Sequence, residues 1–89
     1  MKKIYSISYD LRRPGRNYEE LYAVLNQYEN YHALESTWFV KSEETADTIC
    51  EKVRQKMDNT DSVIVTEIVS TNKQGWMPKP FWEWINRKP

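Results

Sequence analysis

Residues 4–16 of the chain read Ile-Tyr-Ser-Ile-Ser-Tyr-Asp-Leu-Arg-Arg-Pro-Gly-Arg. Apolar or aromatic side chains alternate with polar ones as far as Asp10, and this period of two is typical of a β-strand. The apolar set is expected to face helices, whereas the polar set, which includes Asp10, lies on the other face. The Pro14-Gly15 pair that follows indicates a turn.

Two helices are predicted further along the chain. Asn17 is expected to cap the first one, with Glu20 three residues later at the spacing of a capping box, and this helix should end near Asn30. Ser42 is expected to cap the second helix, which has the clearest amphipathic pattern in the chain. The apolar residues of the second helix are Ala46, Ile49, Cys50, Val53 and Met57.

The remaining segments predict extended chain. His32–Lys41 contains a polar trio at residues 35–37 that should bend it into two antiparallel strands, and Ser62–Val69 forms another strand. Within the bent segment, the residues expected to share a face are Leu34, Trp38 and Val40. The resulting order favours an α+β fold of the ferredoxin-like βαββαβ type, with one antiparallel sheet and two helices on one face. The opposite face is expected to carry no helix.

The last part of the chain differs in composition. We expect residues 1–70 to form the core domain and residues 71–89 a C-terminal aromatic extension. Two prolines make residues 75–80 irregular, and residues 81–87 are predicted to form a single helical turn or a short strand. The extension is expected to pack on its own or a partner subunit through residues that suit a dimer interface, namely Trp76, Trp82 and Trp84.

Size and composition restrict the function. The chain has 89 residues and a formal net charge of +0, which argues against a protein that coats nucleic acid nonspecifically. Residues 1–17 nevertheless carry five basic groups against one acidic group, so the charge is unevenly distributed. The absence of a long apolar run predicts no membrane association and a cytoplasmic location. Cys50 is expected to be a small core residue, and His32 a surface or capping residue.

The residues best suited to catalysis or to binding a metal or phosphate lie at the end of the first strand. A carboxylate such as Asp10 can hold Mg²⁺ or Mn²⁺, and Ser8 on the same face could assist as a second catalytic residue. Adjacent arginines can neutralise phosphate, and the predicted nucleic-acid contacts are Arg12, Arg13 and Arg16. Two alternatives remain open: Asp10 could bond to the backbone of the turn after it, or act only through its charge.

These motifs resemble the small CRISPR-associated endoribonuclease family, the non-integrase subunit of spacer acquisition. The similarity covers about residues 3–69 and rests on Ser8-Tyr9-Asp10, Glu35-Ser36-Thr37-Trp38 and Asp58-Asn59-Thr60-Asp61-Ser62-Val63. The chain looks closer still to the SinR-like branch of that superfamily, which shares Ser8-Tyr9-Asp10-Leu11, Pro14-Gly15 and Tyr18.

The resemblance implies a ferredoxin-like homodimer in which Asp10 of each subunit approaches the dimer axis and shares a divalent metal. The expected function is therefore that of a nucleic-acid-associated dimer, with metal-dependent cleavage of RNA or DNA as its catalytic form. The alternative is a catalytically silent binding or adaptor module with a protein partner, or a small phage- or plasmid-borne inhibitor on the same scaffold.

Overall fold

Four strands and three helices make up the fold. The structure, a computed structural model, describes residues 1–69 and 71–87. The elements are β1 (Lys3–Asp10), α1 (Glu19–Asn26), β2 (Glu29–Leu34), β3 (Thr37–Ser42), α2 (Ala46–Arg54), β4 (Ser62–Glu67) and α3 (Lys79–Asn86). None of the described helices is long and apolar enough to cross a membrane. The predicted boundary between core and extension falls at Ser70, which lies outside the described residues.

The strands form a single sheet in the order β2-β3-β1-β4. Every neighbouring pair is antiparallel. This order makes β1 a central strand, with Ile7 opposite Trp38 of β3 on one side and Val65 of β4 on the other. The prediction of a small α+β fold with one antiparallel sheet is confirmed. Because β1 is central, the loop that follows Asp10 emerges from the middle of the sheet's end.

One face of the sheet is covered by α1 and α2. The alternation of β1 turns its apolar set toward these helices, as predicted, and buries it completely or nearly so. Buried residues at this face include Tyr5, Ile7, Tyr9, Leu21, Leu25, Trp38, Val40, Ile49 and Val53. Burial of this apolar area is the main favourable contribution to folding.

The opposite face is not free of helices, and this prediction was wrong. α3 packs there, with the buried side chains of Phe81, Trp84 and Ile85 against partly buried residues of the sheet that include Tyr31 and Phe39. The two prolines do not prevent the helix, because proline is tolerated in the first helical turn, where backbone N–H groups have no intrahelical partner. The predicted single turn or short strand is therefore a helix of eight residues.

A buried lysine fastens the end of α3 to the sheet. Lys41 of β3 is 1% exposed, and its Nζ donates to the carbonyl oxygens of Trp84 at 2.6 Å and Arg87 at 2.9 Å. The ammonium also lies 4.3 Å from the centroid of the Trp84 ring. Burial lowers the pKa of Lys41, although the nearby carboxylate of Glu29 opposes the shift. Lys41 thus satisfies carbonyls that a helix C-terminus leaves without partners.

Both predicted helix caps are displaced. Asn17 precedes the N-cap position of α1, where its Oδ1 accepts the N–H of Glu19 at 2.9 Å instead of forming a capping box. Ser42 is still the last residue of β3, and Thr45 caps α2 by accepting the N–H of Thr48 at 3.2 Å. Pairing of β3 with β1 extends the strand past the first residue that could begin a helix.

The hairpin between β2 and β3 bends where the polar trio predicts. Trp38 and Val40 face the first core as expected, but Leu34 is 56% exposed and does not share their environment. The register of β2 against β3 shifts between His32 and Leu34, and such an irregularity redirects the side chain that follows it.

Candidate nucleic-acid interface

The loop between β1 and α1, residues 11–18, contains the three arginines predicted to contact phosphate; we call it the arginine loop. It turns at Gly15, whose φ of +81° lies in the left-handed region that favours glycine. Arg16 N–H donates to the carbonyl oxygen of Arg13 at 3.2 Å and closes the turn. The loop therefore has a defined conformation, in which the side chains of Arg12, Arg13 and Arg16 are 55%, 64% and 34% exposed.

Asp61, in the turn before β4, accepts hydrogen bonds from the arginine loop. It is 8% exposed, and its carboxylate accepts the N–H groups of Arg12 at 2.7 Å and Asp58 at 2.8 Å. The hydroxyl of Tyr18 donates to the same carboxylate at 2.9 Å. Burial alone would raise the pKa of Asp61, but these hydrogen bonds outweigh it and lower the pKa. One buried carboxylate thus anchors the arginine loop at both ends, through the backbone N–H of Arg12 and the side-chain hydroxyl of Tyr18.

Asp58 orients the guanidinium groups. Its side chain is 11% exposed and accepts a hydrogen bond from Arg13 Nη1 at 3.0 Å, while Arg16 Nη1 lies 3.6 Å away. The hydroxyl and the N–H of Thr60 donate to its other oxygen at 2.7 and 3.1 Å. The bonds from Thr60 and from Arg13 lower the pKa of Asp58 to about 2. The group therefore stays ionised at neutral pH.

A fourth guanidinium lies beside the loop. Arg54, at the end of α2, is exposed and its Nη1 donates to the carbonyl oxygen of Asp58 at 3.1 Å. A carbonyl oxygen does not neutralise its charge as a carboxylate would. Four arginines and three aspartates meet here, for a formal charge of +1, and only Asp10 of the three carboxylates is well exposed, since the Asp58 side chain is 11% exposed and Asp61 is 8% exposed. Arg13 is 64% exposed, so its remaining N–H donors are accessible to a ligand.

Asp10 remains exposed at the end of β1, on the side of the sheet that α3 only partly covers. Its side chain is 67% exposed, and its Oδ2 accepts a hydrogen bond from Arg12 Nε at 3.0 Å. It does not bind the backbone of the following turn, because Asp61 takes that role. Ser8 Oγ lies 3.0 Å from Thr37 Oγ1 and is partly buried. In the part of the chain that the structure describes, no cluster of three His, Cys, Asp or Glu residues could hold a metal ion.

Two other residues considered from the sequence stand apart from this cluster: His32 is on the edge strand β2, which β3 separates from β1, and Cys50 is on α2. His32 is exposed and stacks on Trp38 with 4.1 Å between ring centroids, and its Nε2 lies 3.1 Å from the carbonyl oxygen of Glu35. Cys50 is a partly buried thiol on α2. Neither side chain meets Asp10 or the arginines through these contacts.

The three tryptophans of the extension occupy different environments. Trp84 is 7% exposed, on the side of α3 that faces the sheet, and Trp82 is partly buried against the apolar cluster that Trp84 forms with Phe81 and Ile85. Trp76 is 101% exposed, so the other residues that the structure describes do not shield it from solvent. Within one chain, Trp84 therefore already serves the chain's own core, and Trp76 is the residue of the three most available to a partner.

Asp58, Asp61 and Arg54 are not among the site residues predicted from the sequence. Their signals in the sequence were the two aspartates three residues apart in a turn, a spacing that suits side-chain bonds to backbone N–H groups, and the place of that turn among the motifs of the family resemblance. Their position opposite the arginine loop depends on the pairing of β1 with β4, which brings Ser62 opposite Asp10.

Comparison with known proteins supports the fold but supplies no activity. No family model and no curated protein matches the chain. Among solved structures, the chain is similar to the hypothetical protein TT1823 from Thermus thermophilus, with a TM-score of 0.66 and 18% sequence identity. The match covers 88% of this chain and 96% of that one, so the two proteins share an arrangement of elements across nearly their full lengths.

Proposed function

We propose that this chain is a homodimeric nucleic-acid-binding protein of the CRISPR-endoribonuclease superfamily, in which the arginine loop and Arg54 contact the phosphate backbone. The observation that carries the proposal is the arrangement of exposed guanidinium groups over the two shielded carboxylates of Asp58 and Asp61. Guanidinium groups bind phosphate oxygens through paired N–H donors, and groups held in place beforehand lose less conformational entropy on binding.

The topology supports a ferredoxin-like fold for this protein. β3 lies between β1 and β2, and β1 lies between β3 and β4. Each helix that connects two of these strands therefore crosses over a strand inserted between them, which is the split βαβ unit of the ferredoxin-like motif. The additional α3 on the second face is a feature beyond that motif.

The binding proposal is tested by fluorescence anisotropy with labelled single-stranded RNA and double-stranded DNA over a range of salt concentrations. Arg13→Ala and Arg54→Ala should each weaken binding and reduce the slope of log K against log salt by about 1, because each removes one phosphate contact. Lys3→Ala is the matched control, since it removes one exposed positive charge at the opposite end of β1.

Equal weakening by Lys3→Ala would contradict a localised interface. No binding to either probe at low salt would contradict the nucleic-acid function and favour the alternative of a protein-binding adaptor or inhibitor.

A second candidate function is metal-dependent cleavage of RNA or DNA. It is favoured by the exposed carboxylate of Asp10 and by the nearby hydroxyls of Ser8 and Ser62. One chain supplies a single carboxylate, so a site for Mg²⁺ or Mn²⁺ would need Asp10 from two copies, with water completing the coordination. The ion would activate water and stabilise developing charge on the phosphate. Asp10 would first have to separate from Arg12.

Cleavage assays with Mg²⁺ or Mn²⁺ distinguish the two functions. In the catalytic form, Asp10→Asn should abolish cleavage while leaving anisotropy binding intact or stronger, because removing the carboxylate leaves Arg12 unneutralised. Equal cleavage by the wild type and Asp10→Asn would identify a contaminating nuclease and refute the metal role of Asp10.

A further inference from the structure

An apolar groove lies beside α3, on the second face of the sheet. It has a volume of about 240 Å³ and is bounded by α3, the sheet and the segment that precedes the helix. Its walls include Leu34, Phe39, Met77, Phe81, Trp82 and Ile85. Pockets for drug-sized ligands usually begin at roughly 300 Å³, so this groove suits a single large side chain better than an extended ligand.

Trp76 lies next to this groove in the chain but does not enter it. Gly75 and Met77, its two neighbours, line the groove, whereas the side chain of Trp76 is 101% exposed. Tryptophan is enriched, with tyrosine and arginine, at the energetic centres of protein interfaces. One surface of the molecule therefore carries both a projecting apolar side chain, Trp76, and a groove that could receive such a side chain.

We propose that Trp76 of each copy inserts into the groove of a second copy of this chain, forming a two-fold symmetric dimer. A two-fold interface uses the same surface on both subunits, so a projecting residue and its receiving groove must belong to one surface patch, and the chain neighbours of Trp76 line the groove. This inference rests on the proposed homodimer and specifies how its subunits are held together.

The reciprocal tryptophan contact supplies part of the area that a specific interface needs. Each inserted tryptophan buries about 150–250 Å², so the reciprocal pair removes about 300–500 Å² from water before the groove walls are counted. Leu34, which is 56% exposed, adds apolar surface at the wall of the groove. Specific interfaces bury about 1,200–2,000 Å² in total, so the remainder would come from the rim of the groove.

Sedimentation analysis of the full chain over a wide concentration range tests this interface. Trp76→Ser should raise the dimer dissociation constant by about 100-fold or more, because both copies lose their central contact. Ile64→Ser is the matched control: Ile64 is 64% exposed but lies on β4 away from the groove, and its substitution should leave the dimer unchanged. A stronger effect of Ile64→Ser would assign the interface to the open part of the sheet.

Mixing two variants provides a sharper test. Trp76→Ser retains the groove, and Leu34→Lys introduces a charge at its rim while retaining Trp76. Each variant alone should be largely monomeric, but their mixture should form a heterodimer through one intact contact. Iodide quenching of tryptophan fluorescence should decrease as the wild-type protein dimerises and should not do so for Trp76→Ser.

A monomeric wild type at high concentration, or a dimer that Trp76→Ser does not weaken, would overturn the inference. Neither result depends on the arginine loop. Arg13→Ala should weaken nucleic-acid binding and leave the dimer unchanged, whereas Trp76→Ser should weaken the dimer and leave the arginine loop intact. The two readouts therefore separate failure of this interface from failure of the proposed function.

Discussion

The two faces of the sheet differ in how completely they are covered. On the first face, α1 and α2 bury a large apolar cluster in which Ile7, Leu25 and Val40 are 0% exposed. On the second face, α3 alone forms a smaller cluster, leaves an apolar groove beside it and leaves Asp10 exposed at the end of β1. The first face therefore carries most of the stability, whereas the second presents the surfaces available for a partner.

The manner of attachment also differs between the faces. α1 connects β1 to β2 and α2 connects β3 to β4, so both ends of each helix are tied to strands of the sheet. α3 follows the last strand and is held by its aromatic residues and by Lys41. Segments with fewer buried contacts open locally at lower free energy than the central core. The comparison thus predicts global unfolding for damage to one face and local opening for damage to the other.

Large-to-small substitutions at the two faces should separate them most clearly. Leu25→Ala should reduce the free energy of unfolding by about 3–5 kcal/mol, because it leaves a cavity in the first core. Ile85→Ala should cost only about 2 kcal/mol, since α3 can detach while the remaining core persists. Urea unfolding followed by circular dichroism measures both effects. An equal loss for both variants would mean that the two faces unfold as one unit.

A smaller effect is expected from the lysine beneath α3. Lys41→Met should reduce stability by about 1–2 kcal/mol, because the carbonyl oxygens of Trp84 and Arg87 lose their donor while the cost of burying the ammonium disappears. Hydrogen exchange should accelerate in α3 more than in α1. Lys79→Met, at an exposed position of the same helix, should leave exchange in α3 unchanged. Uniform acceleration across the protein would contradict a local role.

The smallest change is expected at acid pH and concerns the arginine loop. The pKa of Asp58 is about 2 in the folded protein against 3.8 as its ordinary value, so its contribution to stability is present above pH 3.8. This contribution is lost as pH falls from 3.8 toward 2, because the unfolded chain then binds the proton first. Asp58→Asn should flatten the decrease in stability over this range, as measured by urea unfolding at successive pH values. Parallel pH profiles for the two proteins would refute the role of Asp58.

Local patterns in the sequence were sufficient for much of the fold. Alternation identified β1 and β4, the polar trio located the bend between β2 and β3, and helical spacing identified α1 and α2. Each of these signals depends on neighbours within a few residues. Cap positions were less well determined, because Ser42 could either end a strand or begin a helix, and pairing of β3 with β1 decided between them.

The candidate functional residues also fall into those that the sequence identified and those that only the structure identified. The sequence by itself identified the row of arginines after β1, the exposed Asp10 at the strand end and the apolar excess of the tryptophans. Only the tertiary structure brought Asp58, Asp61 and Arg54 to the arginine loop, directed Trp84 inward and Trp76 outward, and placed α3 on the second face. These features depend on contacts between residues more than forty positions apart, such as Arg12 with Asp61 and Lys41 with Trp84. Such contacts form only when the sheet has brought distant segments of the chain together, so local sequence patterns do not predict them.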